Sequence, residues 1–472
     1  MSKNITSGKE NQISLIKQFR DFGIGPVIGM LLSMITVPIT TRLLSPAEYG
    51  KSSLFTLFQS LFSIVGLLGI DQGYVRFYND KKIEKDTLLQ NSLFLPLCFS
   101  AFLVLVCILF FKPISVFSFG SLEVGLMISF CVFIPILLLN RFFLLQIRMD
   151  LKGKLYSLLN IISQIVNFTI LILFLLFYQR TFRSIVYATV FGNIVNTLII
   201  FIFIDKSFVK NKFFLSKDLQ IELLKFSLPL VPATLLSWLL NSFDKVGLRA
   251  WSSFEELGLY AAAFKIVALL NVFQNIFTTT WVPIAYKWNE ENVPKENFER
   301  VSTVVLGLMT ILFAFIVVFR DIIMLFLGAE YRNTSEIFIF LLFVPVMYTV
   351  SETTCLGINF SKKTMYNLYV SSIAVFMNLL GNYILIPRYG ALGAAISTSI
   401  SYLTFFWGRT LLSRKVWFKF KLSKYCINQL LLICFGINMI IWNNKIIEIC
   451  LLLLIICYNT LITVCFFYGK KR

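Results

Sequence analysis

Apolar residues run in long unbroken stretches along nearly the whole chain, separated by short polar gaps. An α-helix rises 1.5 Å per residue, so roughly 20 apolar residues cross a bilayer core. The stretches predict about fourteen such spans, at 22–44, 52–70, 88–111, 121–140, 156–178, 184–204, 222–248, 257–283, 302–327, 335–357, 366–386, 391–411, 426–443 and 447–468. Lipid-facing β-strands would show shorter, alternating segments, and these are absent. The gaps are too short for a separate soluble domain, and the polar gap from Lys206 to Ile221 divides the chain nearly in half. The expected organisation is an N-terminal transmembrane bundle at 1–212, a C-terminal bundle at 213–411 and an additional C-terminal helix pair at 412–472.

Composition agrees with an all-α integral membrane protein. Of 472 residues, 57% are hydrophobic and 14% charged, where a soluble protein would carry about 25% charge. The net charge of +19 would suit a nucleic-acid partner, but the 43 Lys and Arg alternate gap by gap. Assigning the N-terminus to the cytoplasm puts 30 on that side and 11 on the other, the bias by which basic loops set orientation. Both termini are therefore expected in the cytoplasm. The segment from Met1 to Arg20 is polar and the first apolar run is long enough to span, so no cleavable signal peptide is expected. Nine cysteines lie in or beside apolar runs without a Cys-x-x-Cys pair, and read as small buried hydrophobes. The chain has no histidine, which removes the usual general base and the commonest metal ligand.

A faint internal repeat is visible. Pro26 and Pro38 lead to Thr41-Arg42-Leu43-Leu44-Ser45-Pro46-Ala47-Glu48-Tyr49-Gly50, while Pro229 and Pro232 lead to Asp244-Lys245 and then Glu255-Glu256-Leu257-Gly258-Leu259-Tyr260. Each half has prolines in a leading span, a charged outer end and a Glu-x-Gly turn opening the next span, and transporter folds are often duplicated bundles. The same residues resemble the Wzx-type polysaccharide flippases of the multidrug/oligosaccharidyl-lipid/polysaccharide exporter (MOP) superfamily. The run from Pro38 to Gly50 is similar to that family's first-hairpin signature. Phe226-Ser227-Leu228-Pro229-Leu230-Val231-Pro232 with Asp244-Lys245, Gly258-Leu259-Tyr260 and Phe264-Lys265 is similar to its mid-chain signature, and Gly390-Ala391-Leu392-Gly393-Ala394-Ala395 to a third. The resemblance implies a MATE-like fold, two pseudo-symmetric bundles around a central cavity. It also implies movement of undecaprenyl-pyrophosphate-linked oligosaccharide, an O-antigen or other surface-polysaccharide repeat, across the bacterial plasma (inner) membrane. A polysaccharide polymerase and a chain-length regulator are the partners such a role implies.

A few charges remain that topology does not explain. Lys265 falls about nine residues into span 8, where a charge is costly unless it meets water or a partner. It reads either as a snorkelling lysine or as a cation lining a wet cavity and meeting a pyrophosphate. Asn275, ten residues on, would lie ~80° around a straight helix and share that edge. Arg42 ends span 1, and Asp244, Lys245 and Arg249 end span 7; an Arg42–Asp244 pair would close an outer mouth as a gate, or these groups would meet the ligand. Asp71 and Arg76 follow span 2 in a turn that is either merely solvated or a headgroup entrance, and Arg141 is covered by the loop bias. Glu352, inside span 10, would either pair with a cation or titrate and link transport to H+ or Na+. Mid-span Gln59, Gln164, Asn167, Asn193, Asn196, Asn241, Asn378 and Asn382 fit either a wet cavity or interhelical hydrogen bonds.

The substrate-binding set expected from the sequence is thus Lys265, Arg42, Arg249, Asn275 and Arg76, with Asp244, Lys245, Asp71 and Glu352 as gate or ion-pair residues. No catalytic residue, metal or cofactor is expected, and no covalent chemistry. The leading expectation is a flippase for lipid-linked oligosaccharide working by alternating access. A cation-coupled exporter of small drugs would favour acidic residues within the membrane. A membrane enzyme of envelope polysaccharide assembly would ordinarily need a large outer loop or a catalytic histidine.

Overall fold

The computed structural model describes residues 25, 28–212 and 214–468, with side chains through Val464. Pro26, the basic residues of both termini and the Cys465 side chain lie outside the described residues. All regular structure among the described residues is helical. The first helices are α1 (Ile28–Leu43), α2 (Pro46–Leu67), α3 (Ile70–Phe77), α4 (Lys85–Leu109), α5 (Phe111–Phe119), α6 (Val124–Met149), α7 (Gly153–Phe177) and α8 (Phe182–Phe203). After the short α9 (Ser207–Lys210) come α10 (Lys217–Ser227), α11 (Val231–Trp251), α12 (Phe254–Val267), α13 (Leu270–Glu290), α14 (Lys295–Val318) and α15 (Arg320–Met324). The chain closes with α16 (Ser335–Leu341), α17 (Phe343–Thr354), α18 (Leu356–Phe360), α19 (Met365–Val416), α20 (Ser423–Ile441) and α21 (Lys445–Tyr468).

Among the described residues, ten helices or continuous helical stretches are long and apolar enough to cross a membrane, and two bent pairs, α2–α3 and α12–α13, are so together. The 52 residues of α19 would reach ~78 Å if straight, more than twice a bilayer core. Its backbone leaves the helical region at Gly390 (φ 53°, ψ −129°), so it holds the two spans expected at 366–386 and 391–411. With the shorter α1, every one of the fourteen expected spans has a helical counterpart. The protein is a multi-pass membrane protein.

The described chain forms two compact units. One holds the described residues through Thr36 together with Lys51–Trp238; the other holds Val37–Gly50 and everything from Leu239 on. In the first, α6 packs on α4 and α8, and α7 on α8, around two apolar cores. One core centres on Tyr74, Leu138 and Phe142, the other on Phe55, Phe130 and Phe133. In the second unit α14 packs on α17 and α21, and α17 on α19.

The assignment of Val37–Gly50 to the second unit has a direct physical cause. A methyl group on Gly50 would overlap the Phe254 carbonyl oxygen, and one on Gly258 would overlap the Pro46 carbonyl oxygen. Only glycine lets these two backbones approach so closely. The contact is reciprocal: the fifth residue of Pro46–Gly50 meets the first of Phe254–Gly258, and the reverse. The Glu-x-Gly elements expected as turns are in fact the first turns of α2 and α12, and their equivalence is physical. Tyr331 adds a hydrogen bond to the Leu44 carbonyl (3.0 Å), and Thr41 Oγ1 accepts from the Gly328 N–H (3.2 Å).

Candidate functional site

The second span of each half is broken. In the first half, α2 gives way to α3 through a 51° bend at Leu68 and Gly69, both with positive φ (52° and 70°). In the second, α12 gives way to α13 through a 43° bend at Ala268 and Leu269. Interrupted spans at corresponding places in duplicated halves are a recurrent mark of transport sites, because the freed backbone and nearby charges can face a polar ligand. Of the charged residues singled out in the sequence, Lys265 lies just before the second break, and Asp71 and Arg76 lie just after the first.

In the second unit, α11 presents charge in two directions. Asp244, 1% exposed, is surrounded by neutral donors. Its Oδ1 accepts from Asn378 (2.9 Å) and Asn382 (2.7 Å), and its Oδ2 from Tyr260 (2.6 Å) and Thr398 (2.8 Å). It therefore ties α11 to α12 and to both halves of α19. The Asn382 carbonyl oxygen beside it is buried and has no hydrogen-bond partner. The four donors and this unpartnered oxygen make a compact polar pocket around the carboxylate. Lys245 turns the other way, over the Phe264 ring (5.7 Å), within electrostatic reach of both Lys265 and Asp244. One turn on, Arg249 lies over the Phe254 ring at 4.3 Å. Lys265 occupies the last turn of α12, immediately before the break, with its side chain exposed. Lys245, Arg249 and Lys265 thus form a cationic strip along α11 and α12, the first two over aromatic faces that favour such cations.

In the first unit the break leads straight to Asp71. Its carboxylate, 6% exposed as a residue, receives Arg141 from α6 at 2.8 Å and Gln72 at 3.1 Å. Arg76 is exposed on the same short helix. A methyl on Gly69 would crowd the Ser227 carbonyl oxygen and one on Gly73 the Ser227 hydroxyl, so both glycines let α3 lie on α10. Just beyond α3, the Tyr78 hydroxyl donates to Asp150 at 2.6 Å, and Lys152 and Lys85 lie 2.9 and 3.6 Å from the same carboxylate. Burial opposes the Asp150 charge, but Tyr78 and Lys152 outweigh it and hold the carboxyl below the usual carboxylate range. An open cleft of about 730 Å³ lies nearby, lined by Lys82, Glu84, Thr87, Asn211, Lys212 and Glu222 among others. Its mixed charge suits no single ligand, and it includes none of the expected site residues.

Several expectations are corrected. Arg42 does not pair with Asp244: its guanidinium is exposed and reaches the Leu325 carbonyl at 3.5 Å, while Asp244 is occupied by neutral donors. Asn275 is exposed on α13, beyond the bend, so the ~80° offset from Lys265 calculated for a straight helix no longer applies. Asp71 and Arg76 lie on a helix rather than in a turn, because α3 continues the span past its break. Arg141 is an ion-pair partner and not only a loop charge. Glu352 is held by Arg409 at 2.8 Å, whose guanidinium also reaches Ser351 and Cys355, so it pairs with a cation. Of the mid-span amides, Asn378 and Asn382 serve Asp244, Asn196 donates to Asn167 (3.1 Å), and Asn241 accepts from Tyr402 (2.8 Å). Interhelical bonding accounts for these.

Sequence reasoning missed three buried cations. Arg409 and Lys424 had been counted as loop charges, yet Lys424 is buried against Glu299 at 2.9 Å. Arg320 is buried with Glu448 at 2.6 Å. The signal was available: Glu299, Glu352 and Glu448 each lie in or beside an apolar run and require a partner. Among the described residues, no group of three or more Cys, Asp or Glu side chains is placed to hold a metal ion.

Comparison with known proteins adds a family and a fold. The sequence profile described as "Polysaccharide biosynthesis protein" matches residues 22–288, more than half of the chain. The probable low-salt glycan biosynthesis flippase Agl15 of Haloferax volcanii is 25% identical over 152 residues. That match spans 31% of this chain and only 32% of the relative's length. Among solved structures, the chain is similar to the lipid II flippase MurJ in an inward closed conformation, with a TM-score of 0.72 and 17% identity, covering 95% of this chain and 99% of that one. It is also similar to the MATE transporter VcmN of Vibrio cholerae, with a TM-score of 0.56 and 17% identity, over 85% of this chain and 97% of that one. An inward-facing multidrug-resistance MATE transporter of the MOP superfamily gives a TM-score of 0.55 at 15% identity, over 87% and 96%. At these identities the likeness establishes the fold, one shared with the MurJ and MATE structures.

Proposed function

The chain belongs to the polysaccharide biosynthesis protein family, and from that membership we propose that it flips a lipid-linked oligosaccharide between membrane leaflets. The cargo is a polyprenyl-pyrophosphate carrying an O-antigen or other surface-polysaccharide repeat, with undecaprenyl as the lipid. The membrane is the bacterial plasma membrane, with both termini in the cytoplasm as the loop charges favour. The observation that carries this reading is the cationic strip of Lys245, Arg249 and Lys265 beside the broken eighth span. Two cations over aromatic rings, with Lys265 in electrostatic reach of Lys245, suit a pyrophosphate, which presents several charged oxygens. The sugars would meet Asn275 and the exposed polar groups of α13, while the polyprenyl tail stays in lipid. Movement would follow alternating access.

Asp244, rather than Glu352, is the group we assign to coupling by H+ or Na+, because Glu352 already has a permanent cation. A cation-coupled exporter of cationic drugs would use the same carboxylate but would be repelled by the strip next to it.

The test is uptake of a purified, fluorescently labelled lipid-linked oligosaccharide by vesicles containing the protein. Lys265→Ala should reduce flipping to the protein-free background while leaving insertion and thermal stability unchanged, and Lys265→Arg should keep part of it. Full activity in the alanine variant would remove the strip from the cargo path.

A further inference from the structure

We propose that the connector between α19 and α20 is a binding strap for the anionic headgroups of bilayer phospholipids. From Ser413 to Tyr425 the chain reads Ser-Arg-Lys-Val-Trp-Phe-Lys-Phe-Lys-Leu-Ser-Lys-Tyr, with five cations and no carboxylate. Between Val416 and Ser423 it has no helix, and an extended chain places successive side chains on opposite faces. Phe420 is buried and Phe418 half-buried, whereas Lys419 and Lys421 are exposed. From Phe418 to Lys421 the rings are buried or half-buried and the ammonium groups exposed.

The inward rings fix the strap to the protein. Trp417 meets Phe360 at 5.1 Å and Phe298 at 5.2 Å, and lies against the bare backbone of Gly357. Phe420 meets Tyr425 at 5.9 Å, and the Tyr425 hydroxyl reaches Ser302 at 2.6 Å. Lys424 is drawn inward by Glu299 and Thr303, which takes up the acid at that site. Among the described residues, no carboxylate lies within ion-pair distance of Arg414, Lys415, Lys419 or Lys421. The exposed acids of the neighbouring α13–α14 connection, Glu290, Glu291 and Glu296, form no pair with the strap, and Lys287 faces Glu291 at 3.7 Å.

This segment leaves one span and enters the next, so it lies at headgroup level on that side of the bilayer, where basic clusters bind anionic lipid. The loop bias accounts for basic residues at this end of the helices. It does not account for Lys415, Lys419 and Lys421 held outward beside a backbone anchored by aromatic rings. Lys419 and Lys421 are ~7 Å apart along an extended chain, within reach of a single phosphodiester.

The experiment measures phosphatidylglycerol binding to the purified full-length protein in phosphatidylcholine nanodiscs, by native mass spectrometry across a range of salt concentrations. The wild type should prefer phosphatidylglycerol, and the preference should weaken with salt. Lys415→Gln, Lys419→Gln and Lys421→Gln together should lower the affinity at least tenfold, since each cation near an anionic surface contributes about fivefold. The matching arginine triple should bind like the wild type. A glutamine triple at Lys81, Lys82 and Lys210, which removes the same charge elsewhere, should leave the preference intact. Equal losses in both glutamine triples would reduce the effect to net charge and overturn the strap, as would an unchanged strap variant. Lys265→Ala should leave phosphatidylglycerol binding unaffected, which separates this site from the cargo strip.

Discussion

Asp244 shows how much one side chain can carry. Four donors from α12 and both parts of α19 converge on it, so its removal would strand several buried polar groups. Asp244→Ala should destabilise the protein by about 2–4 kcal/mol, because each orphaned buried donor costs a desolvation penalty. Asp244→Asn is the more informative variant. Its carbonyl oxygen can still accept from Asn378 and Asn382, and its amide can donate to the hydroxyls of Tyr260 and Thr398, which rotate to accept. The fold should therefore survive with a melting temperature near that of the wild type, while the negative charge is gone. Transport by Asp244→Asn should lose its dependence on pH and on sodium. An unaltered pH and sodium profile would take Asp244 out of the coupling step. Glu352→Gln should behave in the opposite way: it strands the buried Arg409 guanidinium and lowers stability, with no change in the form of the pH profile.

At the scale of elements, the capping of two helices explains a motif that the sequence shows only as a string. Ser253 caps α12 by accepting from the Glu256 N–H at 3.2 Å, the first half of a capping box. The Glu256 carboxylate goes elsewhere, to the Ala391 N–H at 2.7 Å, and so caps the second half of α19. Gly390, at φ 53°, leaves room for it, since a Cβ there would lie 2.5 Å from Glu256 Oε2. Glu256→Ala should cost about 1 kcal/mol as a lost cap, and Gly390→Ala about 1–3 kcal/mol from backbone strain and the clash. In thermal unfolding of the detergent-solubilised protein, the double variant should lose less than the sum, because the clash partner is gone. Additive losses would show that the two residues act independently. The spans themselves were legible because each is a long apolar run with no competing period. The contact between Glu256 and Ala391 was not, since it joins residues 135 apart. The break at Gly69 had a glycine to announce it, but that at Ala268–Leu269 has neither glycine nor proline. The α12–α13 bend was therefore invisible, and with it the true relation of Asn275 to Lys265. Likewise Arg409 closes an apolar run, where a loop charge and a buried partner of Glu352 look identical.

For the whole molecule, the last two helices are integral to the second compact unit, and charge holds them there. Lys424 on α20 reaches Glu299 on α14, and Glu448 on α21 receives Arg320 at the start of α15, with Asn443 adding a bond at 3.0 Å. Asn459 joins the two attachments, donating to Asn428 at 2.8 Å. Both members of the Arg320–Glu448 pair are at most 2% exposed, so neither charge can find water if its partner is removed. Breaking such a pair from one side typically costs about 3–5 kcal/mol, whereas replacing both members by apolar residues of similar size is often neutral. Lys445 tempers the case on the glutamate side, since its ammonium lies 3.4 Å from Glu448 and can take over part of the charge. Arg320→Met should therefore fall at the lower end of that range. Glu448→Met should fall in the same part of the range, because the Arg320 guanidinium keeps Asp321 at 3.7 Å and Asn443 at 3.0 Å when its main partner is lost. The double variant should recover most of the stability of the wild type, read as thermal unfolding in detergent, and should flip cargo at the wild-type rate if the pair only fastens the helices. Recovery of stability without recovery of flipping would mean that the pair, and with it the terminal helix pair, takes part in the transport movement itself.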